Sequence, residues 1–359
     1  MRSLIVGLSL LVGVLAVPAL AQSTTWATPP LLEPLRMASL PLDPFQAEAP
    51  RAGSWEVAAS SGYFNVFVGS WHTTAIHREY GLKRRPLARW ELRTLEQRHP
   101  QDAIFHFDVE GWRSDLTFSY GLGRGYGIGV RIPYLVIGSP HWDAIPEEFH
   151  SSLGMHADSR TLFAHGQTAV YVKGKHGTVE AWDELARSGL GDVSVAISGP
   201  LGGFLGGRQR WVAALEAPTG REGTLAGSGG WDLAARWFAS WGEGQRAARI
   251  AVGYTWLDRN GSFLGVRRAN TWHAFAEMCR PLGRRSTFRS SARVDASPLA
   301  DFTDSVAARP SLYLTLGVLH RFGAERWLAF DMGENIPLQG VVPDFTVHLQ
   351  VGTRLSGSR

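Results

Sequence analysis

From Gly230 to Leu257 the chain alternates. Trp231, Leu233, Ala235, Trp237, Ala239 and Trp241 form one row, and Asp232, Ala234, Arg236, Phe238 and Ser240 form the other. After a Gly-Glu-Gly break at 242–244, Ala248, Ile250, Val252, Tyr254 and Trp256 face away from Arg249, Ala251, Gly253 and Thr255. Successive side chains of a strand point to opposite faces. The stretch therefore predicts a hairpin with one apolar, aromatic-ended face and one face of charged and small residues. The same period of two recurs along most of the 359 residues. Beyond residue 21 no apolar run approaches the roughly 20 residues of a spanning helix. A chain patterned this way crosses a bilayer only by closing its sheet, since hydrocarbon offers nothing to the backbone groups of a free edge.

Twelve strands account for the pattern, at about 54–69, 104–120, 126–136, 190–198, 209–217, 230–241, 247–257, 270–280, 286–296, 309–321, 325–334 and 344–355. The fold class expected is all-β, a transmembrane antiparallel barrel of about twelve strands with fourteen as the fallback. Turns at 122–125, 242–246, 281–285 and 322–324 are short, and the Gly- and Leu-rich linker at 199–208 is the least regular of that set. The alternate connections are longer, as in barrels with short periplasmic turns and long external loops. In the first strand Trp55, Val57 and Ala59 share a face, while Phe64, Val66 and Val68 have the opposite parity. That predicts a bulge near Ser60–Gly62, and a similar switch falls near Gly111. Residues 70–103, with Lys83-Arg84-Arg85, read as a long loop. Residues 138–189 are the longest interruption, with a short helix expected at 146–153 and a small hairpin at 168–182. Counting that hairpin as a membrane span would give thirteen strands and reverse every later turn.

Residues 1–21 carry Arg2, an apolar run and Ala19-Leu20-Ala21, the pattern of a cleaved secretory signal. A Pro-rich lead-in follows at 22–52, either a periplasmic segment or one that tucks into the barrel mouth. The barrel is expected over 53–359. Cys279 is the sole cysteine, so no intrachain disulfide can form. Hydrophobic content of 44% and 41 glycines fit a barrel, half of whose strand residues face water. A formal charge of +4 is too small to imply nucleic acid.

Several phrases carry a resemblance: Tyr120-Gly-Leu-Gly-Arg124 with Gly129-Val-Arg-Ile-Pro133, then Gly189-Leu-Gly-Asp-Val193, Ala217-Pro-Thr-Gly220 and Gly227-Ser-Gly-Gly-Trp-Asp232. Over roughly 50–355 the chain resembles an uncharacterised proteobacterial outer-membrane barrel family of unknown function. That family is similar to the phenol-degradation MetA-pathway barrels. The resemblance implies fold, outer-membrane location and transport, and brings no catalytic residues.

Function rests on the inward row. Arg113, Asp115, Arg131, Asp232, Arg236, Arg249, Glu277, Arg289, Arg293, Asp295, Asp331 and Arg354 are expected to line the pore, with Asp108, Glu110, Asp192 and Glu216 beside them. Charges of both signs in a confined interior pair with one another. The reading is a narrow pore or passive transporter for an unidentified small solute. Its partners are outer-membrane lipid, lipopolysaccharide and the barrel-assembly machinery, which recognises a closing strand such as Phe345–Leu355. A plugged structural barrel whose loops bind at the cell surface is one alternative, and an outer-membrane hydrolase is another. No G-x-S-x-G is present. His273 with Glu277, or His141, Asp143 and His150, are the candidate catalytic groupings, and no enzyme activity is expected. His141, His150, His156, His165 and His176, with Glu147, Glu148 and Asp158, match no metal-ligand spacing. No metal or cofactor is expected.

Overall fold

A computed structural model of the chain describes residues 49–356, apart from 82–83, 139–141, 143, 153–159, 176, 186, 205, 222–224, 244 and 336–343. The expected signal and most of the lead-in lie outside the described residues. The chain runs through β1 (Trp55–Gly69), the helices α1 (Trp71–Glu79) and α2 (Arg89–Arg98), then β2 (Phe105–Gly123) and β3 (Tyr126–Ile137). Helix α3 (Ala144–Ser152), β4 (Ala169–Gly174), β5 (Gly177–Ala181) and β6 (Ser188–Leu190) fill the long excursion. Next come β7 (Val193–Phe204), β8 (Gly207–Ala217), β9 (Asp232–Glu243), β10 (Arg246–Trp256) and the small hairpin β11 (Ser262–Phe263) and β12 (Val266–Arg267). The chain ends with β13 (Thr271–Pro281), β14 (Ser286–Asp295), β15 (Ser311–Phe322), β16 (Arg326–Asn335) and β17 (Phe345–Leu355).

Twelve of these strands close into a barrel in the order β1-β2-β3-β7-β8-β9-β10-β13-β14-β15-β16-β17. Pairing of β1 with β17, from Trp55↔Leu355 to Asn65↔Phe345, seals it. Every seam is antiparallel, so no edge of the wall is left open to hydrocarbon. Side chains alternate along the wall. On β9, Leu233 and Ala235 are exposed while Asp232, Ala234 and Arg236 are buried. Val252, Tyr254 and Trp256 continue the outer belt on β10, as do Leu314, Leu316, Phe330, Leu349 and Val351 farther round. A continuous apolar belt of this extent belongs against lipid. Among the described residues no helix is long and apolar enough to cross a membrane.

One end of the barrel carries tight turns. There the expected linker at 199–208 is strand, since β7 and β8 pair as far as Phe204↔Gly207 with a register shift between Pro200 and Gly202. The long-loop end carries everything else, and this is where the sequence reading needs correction. No bulge interrupts β1 near Ser60–Gly62: its register with β2 is unbroken from Trp55↔Tyr120 to Gly69↔His106. The apolar row changes face because the surroundings change. β1 and β2 rise past the rim of the wall, and the 168–182 hairpin forms as expected, with β4 pairing Phe105–Asp108 of β2. It extends the sheet above the barrel and is not a thirteenth span.

Above the rim the inward face is apolar. Phe64, Val66, Phe105, Phe107 and Val109 pack with Val170, Val172, Val179 and Ala181. Leu225, Leu299 and Ala307 reach the same core from the other long loops. The outward face of the same extension is roofed by α1 and α2, which the reading of 70–103 as loop missed. Ile76, Leu87, Leu92 and Leu95 cover Tyr171, Phe163 and Trp182 there. Arg85 secures the roof: it bonds both oxygens of buried Glu91 at 2.8 Å, while the Ala88 amide donates to Glu91 Oε2 at 2.8 Å. Burial raises the Glu91 carboxyl, but these bonds and that of His77 overcome it and hold the pKa down at about 2.

Candidate functional site in the barrel interior

Below the cap, all twelve expected lining residues lie on the inward parity of their strands, and eleven are buried. Arg354, at the short-turn end, is half-buried and faces Glu56 at 3.3 Å. Arg289 reaches across to Asp331 at 2.6 Å, and His348 approaches the same carboxylate at 3.5 Å. Arg293 pairs with Asp295 at 2.7 Å and Arg113 with Asp115 at 3.0 Å, each two residues apart on one inward row. Arg249 sits directly across from Glu277 in the β10–β13 register. Arg131 lies between Thr117 and Ser194, and the guanidinium of Arg236 rests 5.4 Å from the Phe238 ring. Side chains of opposite sign thus pair along the inner wall, and nearly all of them are buried.

Asp232 needs a partner that sequence reasoning missed. Arg268, from the loop after β12, folds into the mouth and bonds both its carboxylate oxygens at 2.8 and 2.9 Å. The Asp258 amide adds a third bond at 3.1 Å. Nothing local in the sequence marks Arg268, because its partner is 36 residues away across the β9–β10 hairpin and the loop that carries it has no strand period.

The interior is not charged throughout. Phe238, Phe275, Val212 and Ala251 form an apolar patch on one wall, and Ala58, Leu319, Trp327 and Ala329 form another across from it. The Trp327 indole crowds Gly352, where a Cβ would stand 2.0 Å from the ring. Only glycine admits that ring so close to the wall.

The phrases that carry the resemblance meet at the rim. Asp192 accepts the Gly220 amide at 2.7 Å and the Ser228 amide at 2.8 Å. Thr219 Oγ1 accepts from the Val193 amide at 2.8 Å and donates to the Gly191 carbonyl at 3.0 Å. A Cβ on Gly220 would stand 2.9 Å from Gly227 Cα, so the two segments cross backbone to backbone. Three separated motifs therefore fold into one clamp that fixes the 218–229 loop. Glu216 is buried beside this clamp.

Asp108 and Glu110, expected in the lumen, are on the other face. They share parity with outward Trp112, and the chain does not switch at Gly111. Both are buried by the cap. Tyr63 donates to Glu110 at 2.9 Å, and Arg160 lies 4.0 Å from Asp108. His273 and Glu277 do share the inward face of β13. His150 bonds Glu334 at 3.2 Å outside the wall. His141, Asp143, His156, Asp158 and His176 lie outside the described residues.

The lead-in enters along the inner wall. Cβ atoms built inward on Gly121 and Gly127 would meet the Arg51 carbonyl at 2.1 Å and the Ala49 Cβ at 2.8 Å. Ala52 forms a parallel bridge with Gly121. Residues 49–52 therefore lie inside the barrel at the short-turn end.

Among solved structures the chain is similar to the COG4313 outer membrane channel of Pseudomonas putida F1. The identity is 11% and the TM-score 0.54, with 88% of this chain and all of that one covered. It shares less with the NanC porin, at 9% identity and a TM-score of 0.42 over 82% of this chain and 98% of that one. The toluene transporter TodX of P. putida gives 10% and 0.36 over 92% and 94%. At these identities the likeness to the first structure speaks for the fold, and the other two lie too far away to argue from. No curated protein matches the chain. A family model described as a protein of unknown function, DUF3187, matches residues 99–355. With its closed twelve-stranded wall and the rim clamp built from those residues, the chain belongs to that family.

Proposed function

We propose that the protein is an outer-membrane channel that passes a small solute through a narrow interior, without chemistry of its own. In that setting the tight turns are periplasmic and the capped end is external. One observation carries the reading: a closed wall with a lipid-facing belt surrounds a ladder of paired charges and two apolar patches. Such a lining selects by size and by local polarity. The reading draws support from sharing its fold with one outer membrane channel. A passing solute has to displace paired side chains, which favours low conductance and slow flux.

A second reading, a structural barrel whose loops bind at the surface, draws support from the apolar core over the mouth and the near-complete burial of the lining. Conductance in planar bilayers and solute flux into liposomes test the first. Pure, folded protein that gives neither would sink it. Removing residues 138–168 separates the two. A channel keeps or raises its conductance, whereas a surface binder stays silent and loses its partner.

A further inference from the structure

We infer that the external cap contains a binding site for a divalent transition-metal ion, formed by His72, His99 and Asp102. His99 caps the C-terminal end of α2 and Asp102 follows it three residues later in the same turn, while His72 reaches them from the first turn of α1. His72 Nε2 lies 2.9 Å from Asp102 Oδ2, and His99 Nδ1 lies 3.1 Å from the same oxygen. The three ligand atoms all fall within 4.8 Å of one another.

The geometry suits a metal. Imidazole nitrogens and carboxylate oxygens bind zinc at about 2.0–2.2 Å. Around a tetrahedral ion such ligands stand about 3.4 Å apart. The two separations from Asp102 Oδ2 need to open by only a few tenths of an ångström, the two histidine nitrogens stand within 4.8 Å of each other, and the carboxylate of Asp102 can swing because it is half exposed. An ion at the centre replaces the contacts of both histidines with one carboxylate oxygen by three coordinate bonds.

The supports are already rigid. Trp71 stacks on the His72 ring at 3.9 Å, and only 6% of the His72 side chain is exposed. The His99 amide closes the last turn of α2 on the Leu95 carbonyl at 2.8 Å. Lys173, on β4, bonds the carbonyls of His99 and Pro100 at 3.0 and 2.6 Å, which pins the turn to the sheet. Two histidines and one carboxylate prefer zinc, nickel or cobalt to calcium or magnesium, which seek oxygen ligands alone. His99 and Asp102 keep one side of the site open to solvent, so a water completes the coordination. Binding ties α1 to α2 and stiffens the roof over β1 and β2.

The test uses the untagged full-length chain, folded in detergent and titrated with zinc chloride by calorimetry, with cobalt absorption as a second readout. One zinc per chain is expected, with micromolar or tighter affinity and no competition from magnesium. His99→Ala, at a half-buried position, and Asp102→Asn, at an exposed one, should each weaken it by at least about tenfold. His150→Ala, at a histidine of α3 paired with Glu334, should leave it unchanged. Heat-modifiable gel mobility checks that each variant is folded. Failure of the wild-type chain to take up zinc saturably overturns the site, and so does uptake that survives both His99→Ala and Asp102→Asn. Neither outcome touches the channel reading, which rests on the barrel interior.

Discussion

β1 and β2 each cross two environments, and the contrast between them explains the molecule. Within the wall their outward residues, Trp55, Leu116 and Tyr120 among them, meet lipid, and their inward residues carry charge. A few residues farther on, the same outward parity holds Asn65, Asp108 and Glu110, while the inward parity holds Phe64, Val66, Phe105 and Phe107. The backbone does not change, but what covers each face does. Lipid penalises a bare charge, whereas a roof of protein accepts one if it supplies partners. Phase in a hydrophobic pattern therefore reports the local solvent, and a switch of phase does not require a bulge.

The contrast is sharpest at Glu91. Glu91→Ala leaves Arg85 and His77 facing an empty buried space, at a cost of about 3–5 kcal/mol. Limited proteolysis should then cut within 71–103 while the barrel keeps its heat-modifiable mobility. If the barrel unfolds together with the roof, wall and cap are one cooperative unit and the division fails. Leu316→Arg puts a charge on the lipid face of β15 and should destabilise the wall by about 2–4 kcal/mol. Urea titration of protein folded into vesicles measures the loss, and cap proteolysis of the folded fraction should not change.

The cap also answers to pH, in both directions. Glu91, held at about 2, contributes stability above the ordinary carboxylate range and loses it as pH falls toward 2. Asp344, beside the rim, is pushed up to about 7 by burial, against the pull of Arg160 and the Phe67 amide. Its contribution is complete below the ordinary carboxylate range and is lost as pH rises through about 7. The hydrogen bond from His150 to Glu334 raises the histidine and works in the same sense as Asp344. Protease resistance of the cap should therefore be greatest near about pH 4, inside the ordinary carboxylate range where the two windows meet. Asp344→Asn should flatten the alkaline side, and an unchanged profile would disprove this account of the rim. The smallest effect is expected at Ser61 and Ser114, which bond each other at 3.0 Å on the outward face of the wall. Replacing both with alanine should change stability by no more than about 0.5 kcal/mol, since the two polar groups leave together. A larger loss in the same urea titration would show that this pair lies above the lipid.

Much of the wall was legible from residues alone. All twelve strands were placed, because a strand facing lipid on one side and a filled interior on the other must alternate for its whole length. Trp231 to Trp256 shows this most fully. Within the wall the buried face of charges such as Arg289 and Asp331 was legible for the same reason, although their pairing was not, whereas Asp108 and Glu110 above the rim were assigned to the wrong face. Helices α1 and α2 were missed. Arg89–Arg98 offers only Leu92 and Leu95 to the core amid seven polar or charged residues, too narrow a stripe to announce a helix. The histidine pair at 72 and 99 went unnoticed because no spacing rule spans two helices.

The order of residues determined that the chain makes a closed sheet, how often it crosses, and which of its two faces is greasy at each point. Only the tertiary structure decided what lies against each face, which acid meets which arginine, and where loops fold back to seal the mouth. A period of two is a property of neighbours in the chain and survives in the sequence. Contacts such as Asp232 with Arg268, or His72 with Asp102, join residues that only the closed and capped barrel brings within reach.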